Sequence, residues 1–125
     1  MNSIPIYLRD TDRPIPFITP NSIVLTPNDV PTIHRYGGER EFETPRIVVT
    51  KSVYLSISLD ALKHHIKQHL NGKWMSEDKE DLDANDFALL EFFGSVYDKR
   101  VIDDQVVWFV SHMNYETVIC KSEEL

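Results

Sequence analysis

The sequence has few of the residues on which several common functional motifs depend. Its single cysteine, Cys120, excludes an internal disulfide framework and any zinc module built from several cysteines. A reducing compartment, most simply the cytoplasm, is therefore expected. Only four glycines occur, and neither a glycine-rich phosphate loop nor a GxSxG nucleophile motif can be drawn through them. These absences leave no recognisable nucleotide-binding or serine-hydrolase signature.

Long apolar runs are also missing. One of the longest, Val106 to Val110, is far shorter than the roughly 20 residues that a membrane-spanning helix needs. The N-terminus shows no basic segment followed by an apolar one, so no secretory signal is predicted. Hydrophobic residues nevertheless make up 42% of the 125 positions, which is enough for the core of one compact domain. We therefore predict a single soluble domain over residues 1–125.

Proline is absent after position 45. All seven prolines lie in residues 1–45, where their fixed φ angle and missing N–H group exclude long helices and central strands. This segment is predicted to form extended arms and turns, with short strands over residues 4–8 and 22–26. We favour an arm that wraps the core over one that contacts a partner, because six apolar side chains would otherwise stay in water. They are Ile15, Phe17, Ile18, Ile23, Val24 and Leu25.

Residues 46–57 carry the pattern of extended structure. The segment 46–50 is rich in β-branched side chains, which favour strands. The apolar residues that follow recur with a period of two, as they do in a strand with one buried face. They are Val53, Leu55 and Ile57.

Two helices are predicted next. Over residues 59–70 the apolar side chains recur with the period of a helix, with Ser58 as the N-cap and Asn71-Gly72 at the end. The apolar face is formed by Leu59, Leu62, Ile66 and Leu70. A second, shorter helix is predicted over residues 84–93, after an acidic segment over residues 75–86.

The last third predicts a β-meander. Its strands are predicted over residues 94–98, 105–111 and 115–120, with turns at Asp103-Asp104 and at residues 112–114. The fold class is therefore α+β, with two helices packed on a mostly antiparallel β-sheet that ends in a C-terminal meander. Residues 46–125 form this core, and residues 1–45 form the proline-rich arm.

The middle strand of the meander indicates how the core is built. Val107 and Phe109 are expected to share one face, and Val106, Trp108 and Val110 the other, because successive strand residues point to opposite sides. If both faces are buried, the N-terminal arm is expected to cover the second. The core is predicted to contain Leu59, Leu62, Ile66, Leu70, Val107, Phe109 and Val118, together with Trp108 or its strand neighbours.

The formal net charge of −7 is unevenly distributed. Residues 46–75 carry five lysines or arginines and one acid, whereas residues 76–104 carry ten acids and three bases. One interpretation is that these are two solvated helical faces that complement one another. The sharper interpretation is an acidic surface that docks on a basic partner or imitates a nucleic-acid backbone. Direct binding to nucleic acid or to a membrane is not predicted, because clustered basic residues are lacking.

Six carboxylates are the candidate partner-binding residues, and they are expected to be mostly exposed. They are Glu77, Asp78, Glu80, Asp81, Asp83 and Asp86. Asp83 and Asp86 are explained by the positive end of the predicted second helix. The other four exceed what capping needs and repel one another, which is the best hint in the sequence of a basic partner.

The histidines are the first candidates for chemistry. His65 and His69 lie one helical turn apart, a spacing that can chelate a metal, but no HExxH pattern accompanies them. They are weak metal candidates, and histidines at the surface or the core edge are favoured. No catalytic motif and no cofactor are predicted. If the protein is an enzyme, His69, Tyr97 and Lys99 are the residues expected to act as general acid/base and anion contacts.

A family resemblance covers about two thirds of the chain. The residues that carry it begin with a strand over residues 46–49 and a capped helix, and they end in the C-terminal strands. They are Arg46 to Val49, Ser58, Leu62, His69, Gly72, Trp74, Glu80-Asp81, Ala84-Asn85-Asp86, Ala88-Leu89, Ser95, Tyr97, Trp108 and Thr117 to Ile119. This string resembles a group of small proteins of unassigned function that are carried on bacterial plasmids and integrative elements.

The resemblance implies a mobile-element or phage context in a bacterial host and implies no activity. The chain departs from the group's pattern at Lys73, where an aspartate is expected, at residues 111–116, and in residues 1–45, which have no counterpart. These departures fall on charged positions that a shared catalytic site would use, so they disfavour an enzyme. Mobile elements also carry small acidic proteins that block host defence, such as anti-CRISPR and anti-restriction proteins.

Three functional hypotheses follow. The first is a non-enzymatic phage or mobile-element protein that binds a host protein or complex with a basic surface, for instance a defence complex. The second is a small enzyme or toxin-like protein that acts on nucleic acid or nucleotide. The third is a structural or regulatory homodimer formed by pairing of sheet edges. An enzyme should gather histidine, tyrosine and lysine in one pocket, whereas a binder should expose an acidic or apolar patch.

Overall fold

The computed structural model describes residues 2–10, 14–15, 18, 24–25, 44–70, 74–75, 78–91, 94–112 and 115–125, and the following account concerns these residues. Their strands, numbered in chain order, are β1 (Asn2–Ser3), β2 (Ile6–Leu8), β3 (Val24–Leu25), β4 (Ile47–Val49), β5 (Ser95–Ile102), β6 (Gln105–His112) and β7 (Glu116–Lys121). The helices are α1 (Lys51–Ser56), α2 (Leu59–Leu70) and α3 (Lys79–Glu91), and a short 3-10 turn spans Ser122–Glu124.

Five strands form one mixed sheet in the order β2-β4-β7-β6-β5, and β1 pairs separately with β3. The antiparallel ladders β5–β6 and β6–β7 contain eight and six residue pairs, whereas the parallel ladders β2–β4 and β4–β7 contain three each. The α+β class and the mostly antiparallel sheet with its C-terminal meander are therefore confirmed. The parallel pairs were not predicted, because they join strands that lie far apart in the sequence.

The hairpin between β5 and β6 is tighter and longer than predicted. Asp103 and Asp104 both have positive φ angles, 50° and 63°, as the two central residues of a type I′ hairpin turn require. Their turn places Ile102 opposite Gln105, and the ladder then continues to Ser95 opposite His112. The strand predicted over residues 94–98 therefore extends to Ile102, because the two-residue turn brings the whole segment into register.

α2 begins as predicted, and the Ser58 hydroxyl accepts the Ala61 N–H at 3.3 Å. Asn71-Gly72, which were predicted to end this helix, lie outside the described residues. The extended structure predicted for residues 53–57 is wrong for residues 53–56, which belong to α1, whereas Ile57 after the helix is extended. Val53 and Ile57 are buried one helical turn apart, whereas Leu55 between them is 70% exposed. The buried side chains of this segment are therefore four residues apart, and not two apart as one face of a strand requires.

α3 begins at Lys79, five residues before its predicted start, so the predicted acidic loop is largely helical. The reason is an N-cap: the Asp78 carboxylate accepts the N–H groups of Glu80 at 2.8 Å and of Asp81 at 3.4 Å. These carboxylates lie where the helix dipole favours negative charge. The acidic residues thus start this helix instead of preceding it.

The main core lies between α2 and one face of the sheet. Leu62, Ile66 and Leu70 of α2 pack in one cluster with Val107 and Phe109 of β6. The predicted core is confirmed for these five residues and for Val118, whereas Leu59 and Trp108 are only partly buried. The cluster also contains four isoleucines from the predicted arm: Ile4, Ile6, Ile15 and Ile18.

The second face of the sheet is buried unevenly. Val110 and Val118 are buried there, while Val106 at the hairpin end is 39% exposed. The arm was expected to cover this face, but its isoleucines named above pack in the cluster on the α2 side instead. Phe17 and Ile23, which were also predicted to pack in this arm, lie outside the described residues.

Candidate functional site

A line of buried polar side chains crosses the interface between α2 and the sheet. β5 directs Asp98 and Arg100 toward α2, because they alternate with exposed residues along the strand. His69 approaches them from the last turn of α2, and Ser111 and Thr117 approach from β6 and β7. All five are at most 1% exposed. Charged side chains are rarely buried to this extent unless they are paired.

His69 connects the charged and the hydroxyl parts of this line. Its Nδ1 lies 2.8 Å from Asp98 Oδ2, and its Nε2 lies 2.6 Å from Ser111 Oγ. Ser111 Oγ lies 2.7 Å from Thr117 Oγ1, which in turn lies 2.7 Å from the hydroxyl oxygen of Thr44. We call these five residues with Arg100 the buried polar network: Thr44, His69, Asp98, Arg100, Ser111 and Thr117.

Arg100 supplies the positive charge that balances Asp98. Its Nε donates to Asp98 Oδ2 at 2.8 Å, and its Nη1 donates to Gln68 Oε1 at 2.9 Å. The guanidinium also lies over the ring of Phe109, 5.5 Å from its centre. The other oxygen of Asp98 accepts the backbone N–H of Met75 at 3.0 Å. The buried charges are therefore paired and hydrogen-bonded, as burial demands.

The protonation states follow from this pairing. Burial alone raises the pKa of Asp98, but the His69 hydrogen bond, the Arg100 guanidinium and the Met75 N–H outweigh it and hold that pKa below its usual value. Burial lowers the pKa of His69, and nearby Arg100 adds to the effect. We therefore assign a carboxylate to Asp98 and a neutral imidazole to His69. The imidazole donates from Nδ1 to Asp98 and accepts the Ser111 hydroxyl at Nε2.

The order Asp98–His69–Ser111 is that of a nucleophile triad, in which a carboxylate orients the imidazole that activates a hydroxyl. In this conformation the hydroxyl does not face solvent, because Ser111 is 1% exposed and His69 is fully buried. The rings of Trp74 and Phe109 pack against the imidazole, with centroids 5.2 and 5.3 Å away. A substrate therefore has no approach to Ser111, and the network acts as a polar part of the core.

The network makes stability depend on pH. In the unfolded chain His69 takes up a proton near its ordinary pKa of 6.5, whereas in the fold it does so only at lower pH. The unfolded state thus binds more protons below pH 6.5, so stability is expected to fall there by up to about 1.4 kcal/mol per pH unit. Burial also lowers the pKa of the half-buried His65, which adds to this trend.

Urea unfolding at several values between pH 8 and pH 5 measures this slope, and the His69→Gln variant is the control. Glutamine retains a donor and an acceptor but does not titrate, so its stability should change less with pH than that of the parent. Equal slopes in the two proteins would assign the pH dependence to other groups.

The residues suggested for an enzyme are not brought together. Tyr97 and Lys99 lie on β5 between the inward residues, so their side chains are on the face of the sheet opposite His69. The proposed trio of His69, Tyr97 and Lys99 therefore does not form one site. As for metal, both ring nitrogens of His69 contact other groups, and His65 Nδ1 lies 2.9 Å from Arg100 Nη1. Within the described part of the chain no group of three ligand side chains could hold a metal ion.

A groove of about 850 Å³ lies on that opposite face, between α3 and the strands β5 and β6. Its walls include apolar side chains, among them Met75, Tyr97 and Trp108, together with Asp81 and Lys99. Tyr97 is 50% exposed and Met75 is 43% exposed, so these side chains are accessible. We call this feature the α3–β5 groove.

Asn85 holds α3 against the edge of β5. Its side-chain amide donates to the Tyr97 carbonyl at 2.9 Å and accepts the Tyr97 N–H at 3.1 Å. The amide thus makes both main-chain bonds that a neighbouring strand would make at this residue. Because Asn85 is only 4% exposed, this contact fixes the position of the helix that forms one wall of the groove.

One of the predicted acidic residues, Asp81, lines this groove. Asp78, Glu80 and Asp81 are exposed, as predicted, and Asp83 is partly exposed with its carboxylate 3.9 Å from Lys79 Nζ. Glu77 and the side chain of Asp86 lie outside the described residues. The attribution of helix capping to Asp83 and Asp86 is wrong, because α3 begins earlier and Asp78 is its N-cap. Part of the acidic excess is therefore explained by the helix itself.

Comparisons of this chain with protein-family models, with curated proteins and with solved structures find no match. No helix among the described residues is long and apolar enough to cross a membrane. The chain is a small α+β protein with a mixed five-stranded sheet, a buried ion-paired network on one face of the sheet and an open groove on the other.

Proposed function

We propose that this chain is a non-enzymatic accessory protein of a phage or mobile element that binds a host macromolecule in the bacterial cytoplasm. The observation that carries the proposal is an open groove beside a helix that exposes its N-cap Asp78 and, in its first turn, Glu80 and Asp81. The resemblance to proteins of plasmids and integrative elements supplies the context. In that context the partner is a basic surface of a host defence complex, and the protein is an inhibitor of the anti-CRISPR or anti-restriction type.

The composition of the α3–β5 groove supports a protein as the partner. Methionine and aromatic side chains such as Met75, Tyr97 and Trp108 are typical of the centres of protein interfaces. The carboxylate of Asp81 beside them, in a chain with a net charge of −7, repels phosphates and attracts lysine or arginine. We therefore expect a partner that presents apolar and basic side chains together.

The position of the histidine–carboxylate pair found among the described residues supports a role without catalysis. His69 and Asp98 are sealed on the far side of the sheet from the groove, and each of their polar atoms near the network has a protein partner. The groove itself brings together Tyr97, Lys99 and Asp81 without an imidazole among its lining residues. A surface of this kind binds by shape and charge.

The proposal is tested by measuring how efficiently an incoming plasmid is established in bacteria with an active restriction or CRISPR system. Expression of the chain should raise that efficiency. The double variant Glu80→Gln/Asp81→Asn should abolish most of the gain, because loss of two interface charges is expected to weaken binding by about tenfold, or about 1.4 kcal/mol. Asp78 stays unchanged because it caps α3.

The matched control is Asp10→Asn/Asp60→Asn, which removes the same number of exposed carboxylates outside α3. This variant should retain the gain in establishment. If the parent chain gives no gain against any restriction or CRISPR system tested, a role as defence inhibitor is excluded. If the two double variants behave alike, the acidic part of α3 is only a solvated helix face.

A further inference from the structure

β5 is one of the two outer strands of the sheet, so half of its main-chain N–H and carbonyl groups point away from β6. Asn85 bonds both the N–H and the carbonyl of Tyr97, so Tyr97 directs these groups outward from β6. In an antiparallel ladder such outward positions recur at every second residue. Lys99 and Val101 therefore also present their N–H and carbonyl groups at the open edge.

Among the described residues, the outward main-chain groups of β5 are hydrogen-bonded at Tyr97 and unpaired at the next two outward positions, Lys99 and Val101. Asn85 satisfies Tyr97, but among the residues that the structure describes no group hydrogen-bonds the outward main chain of Lys99 or Val101. Val101 is 55% exposed, and Lys99 is exposed as well. Both side chains line the α3–β5 groove. An unpaired edge next to an apolar groove is the arrangement to which extended peptides add as a further strand.

We propose that an extended, basic segment of the partner protein pairs with β5 at Lys99 and Val101 and adds a sixth strand to the sheet. This inference rests on the proposed function and specifies how the partner is held. The partner's main chain would bond the four open groups of the edge. Residues opposite Lys99 and Val101 would point to the groove side, where Trp108 and Asp81 offer an apolar and an acidic contact.

Charge favours a basic segment over a second copy of this chain. Asp81 lines the groove beside the open edge, and the exposed hairpin turn Asp103-Asp104 follows the edge, with the Asp103 carboxylate accepting the Ser58 N–H at 2.9 Å. Suppose that the β5 edges of two copies paired antiparallel, with Arg100 opposite Arg100. The Asp103-Asp104 turn of one copy would then lie next to Tyr97 and α3 of the other copy. Acidic groups would then face acidic groups, whereas a strand that carries lysine or arginine would meet Asp81 in the groove and Asp104 at the turn.

The probe for this mode is a short synthetic peptide of alternating lysine and valine, added to the isotope-labelled full chain. Binding should slow the hydrogen exchange of the Lys99 and Val101 amides by at least about tenfold. The inward amides of Asp98 and Arg100, which already pair with β6, should change little. A peptide of alternating glutamate and valine should bind at least about tenfold more weakly.

Two changes remove the main-chain bonds without removing charge. Methylation of alternate backbone nitrogens of the probe peptide deletes its donors, and Val101→Pro deletes one outward N–H while keeping the bonds to β6. Each should reduce binding by about tenfold. Lys99→Gln is the matched control on the same edge, since it keeps the main chain and removes a positive charge, so the basic peptide should bind at least as well. The methylated peptide keeps the test decisive even if Val101→Pro does not fold.

The outcomes separate this inference from the proposed function. If the methylated and unmethylated peptides bind equally, and Glu80→Gln/Asp81→Asn weakens both, the acidic surface binds but strand addition is overturned. Concentration-dependent dimerisation of the chain with protection of the same amides would assign the edge to a second copy and overturn the inference as well. If the lysine–valine peptide causes no protection at the edge, strand addition is also excluded, and the plasmid-establishment experiment alone decides the proposed function.

Discussion

The variant Asp98→Ala is expected to lose about 3–5 kcal/mol of folding free energy, because it removes one partner of a buried ion pair. Arg100 would then be a fully buried cation without a carboxylate, and the Met75 N–H and His69 Nδ1 would lose their acceptor. A typical domain is stable by only about 5–15 kcal/mol, so the loss is a large share of the total. Urea unfolding followed by circular dichroism measures it.

Two controls isolate the cause. Lys99→Ala changes the next residue, whose side chain is exposed on the opposite face, and should stay within about 0.5 kcal/mol of the parent. The double variant Asp98→Leu/Arg100→Met removes both charges and should recover much of the loss, since a buried pair can be replaced by apolar groups of similar size. A loss below about 1 kcal/mol for Asp98→Ala would mean that water reaches Arg100 and that the network is not sealed.

The sequence predicted most reliably the elements whose own residues determine them. α2 has an apolar face at helical spacing and a serine cap, and the β5–β6 turn has two aspartates that tolerate positive φ. α1 was mistaken for a strand because it has only six residues. In so short a segment, apolar residues four positions apart fit both the period of a helix and the period of two of a strand. The start of α3 was missed because its cap, Asp78, lies inside a run of acids that all resemble a loop.

The buried polar network could not be assembled from the sequence, because its members come from α2, three strands and the segment before β4. His69 was singled out, but its partners Asp98 and Ser111, and Thr117 beside Ser111, become neighbours only through the sheet register. One signal was available. Asp98 and Arg100 alternate in phase with the apolar residues Val96 and Ile102, which is the pattern of charged side chains on a buried face. Two opposite charges two residues apart on such a strand predict an ion pair.

The N-terminal segment was predicted to wrap the core, and part of it is in the core. β2 pairs with β4 from Ile6 to Leu8, and the Arg9 N–H donates to the Val49 carbonyl at 2.8 Å. Ile15 is hydrogen-bonded to β2, since its N–H donates to the Ile6 carbonyl at 3.0 Å. These bonds cover the β4 side of the sheet, which would otherwise be an open edge. Removing the segment therefore affects both the sheet and the apolar cluster.

Deletion of residues 1–30 is accordingly expected to leave no cooperatively folded protein. It removes β2 and four core isoleucines, and truncating a single buried isoleucine to alanine typically costs about 2–5 kcal/mol. The sum exceeds the whole stability of a typical domain. Thermal unfolding should lose its transition, and a hydrophobic dye should bind to the exposed sheet.

The single variant Ile6→Ala gives the same information in a chain that still folds. Ile6 is fully buried, so its truncation should cost about 2–5 kcal/mol, whereas Asp10→Ala, an exposed change in the same segment, should cost less than about 0.5 kcal/mol. A truncated chain that keeps its melting temperature and does not bind the dye would contradict the packing of this segment. In that case residues 1–30, in addition to the α3–β5 groove, would be available for contact with a partner.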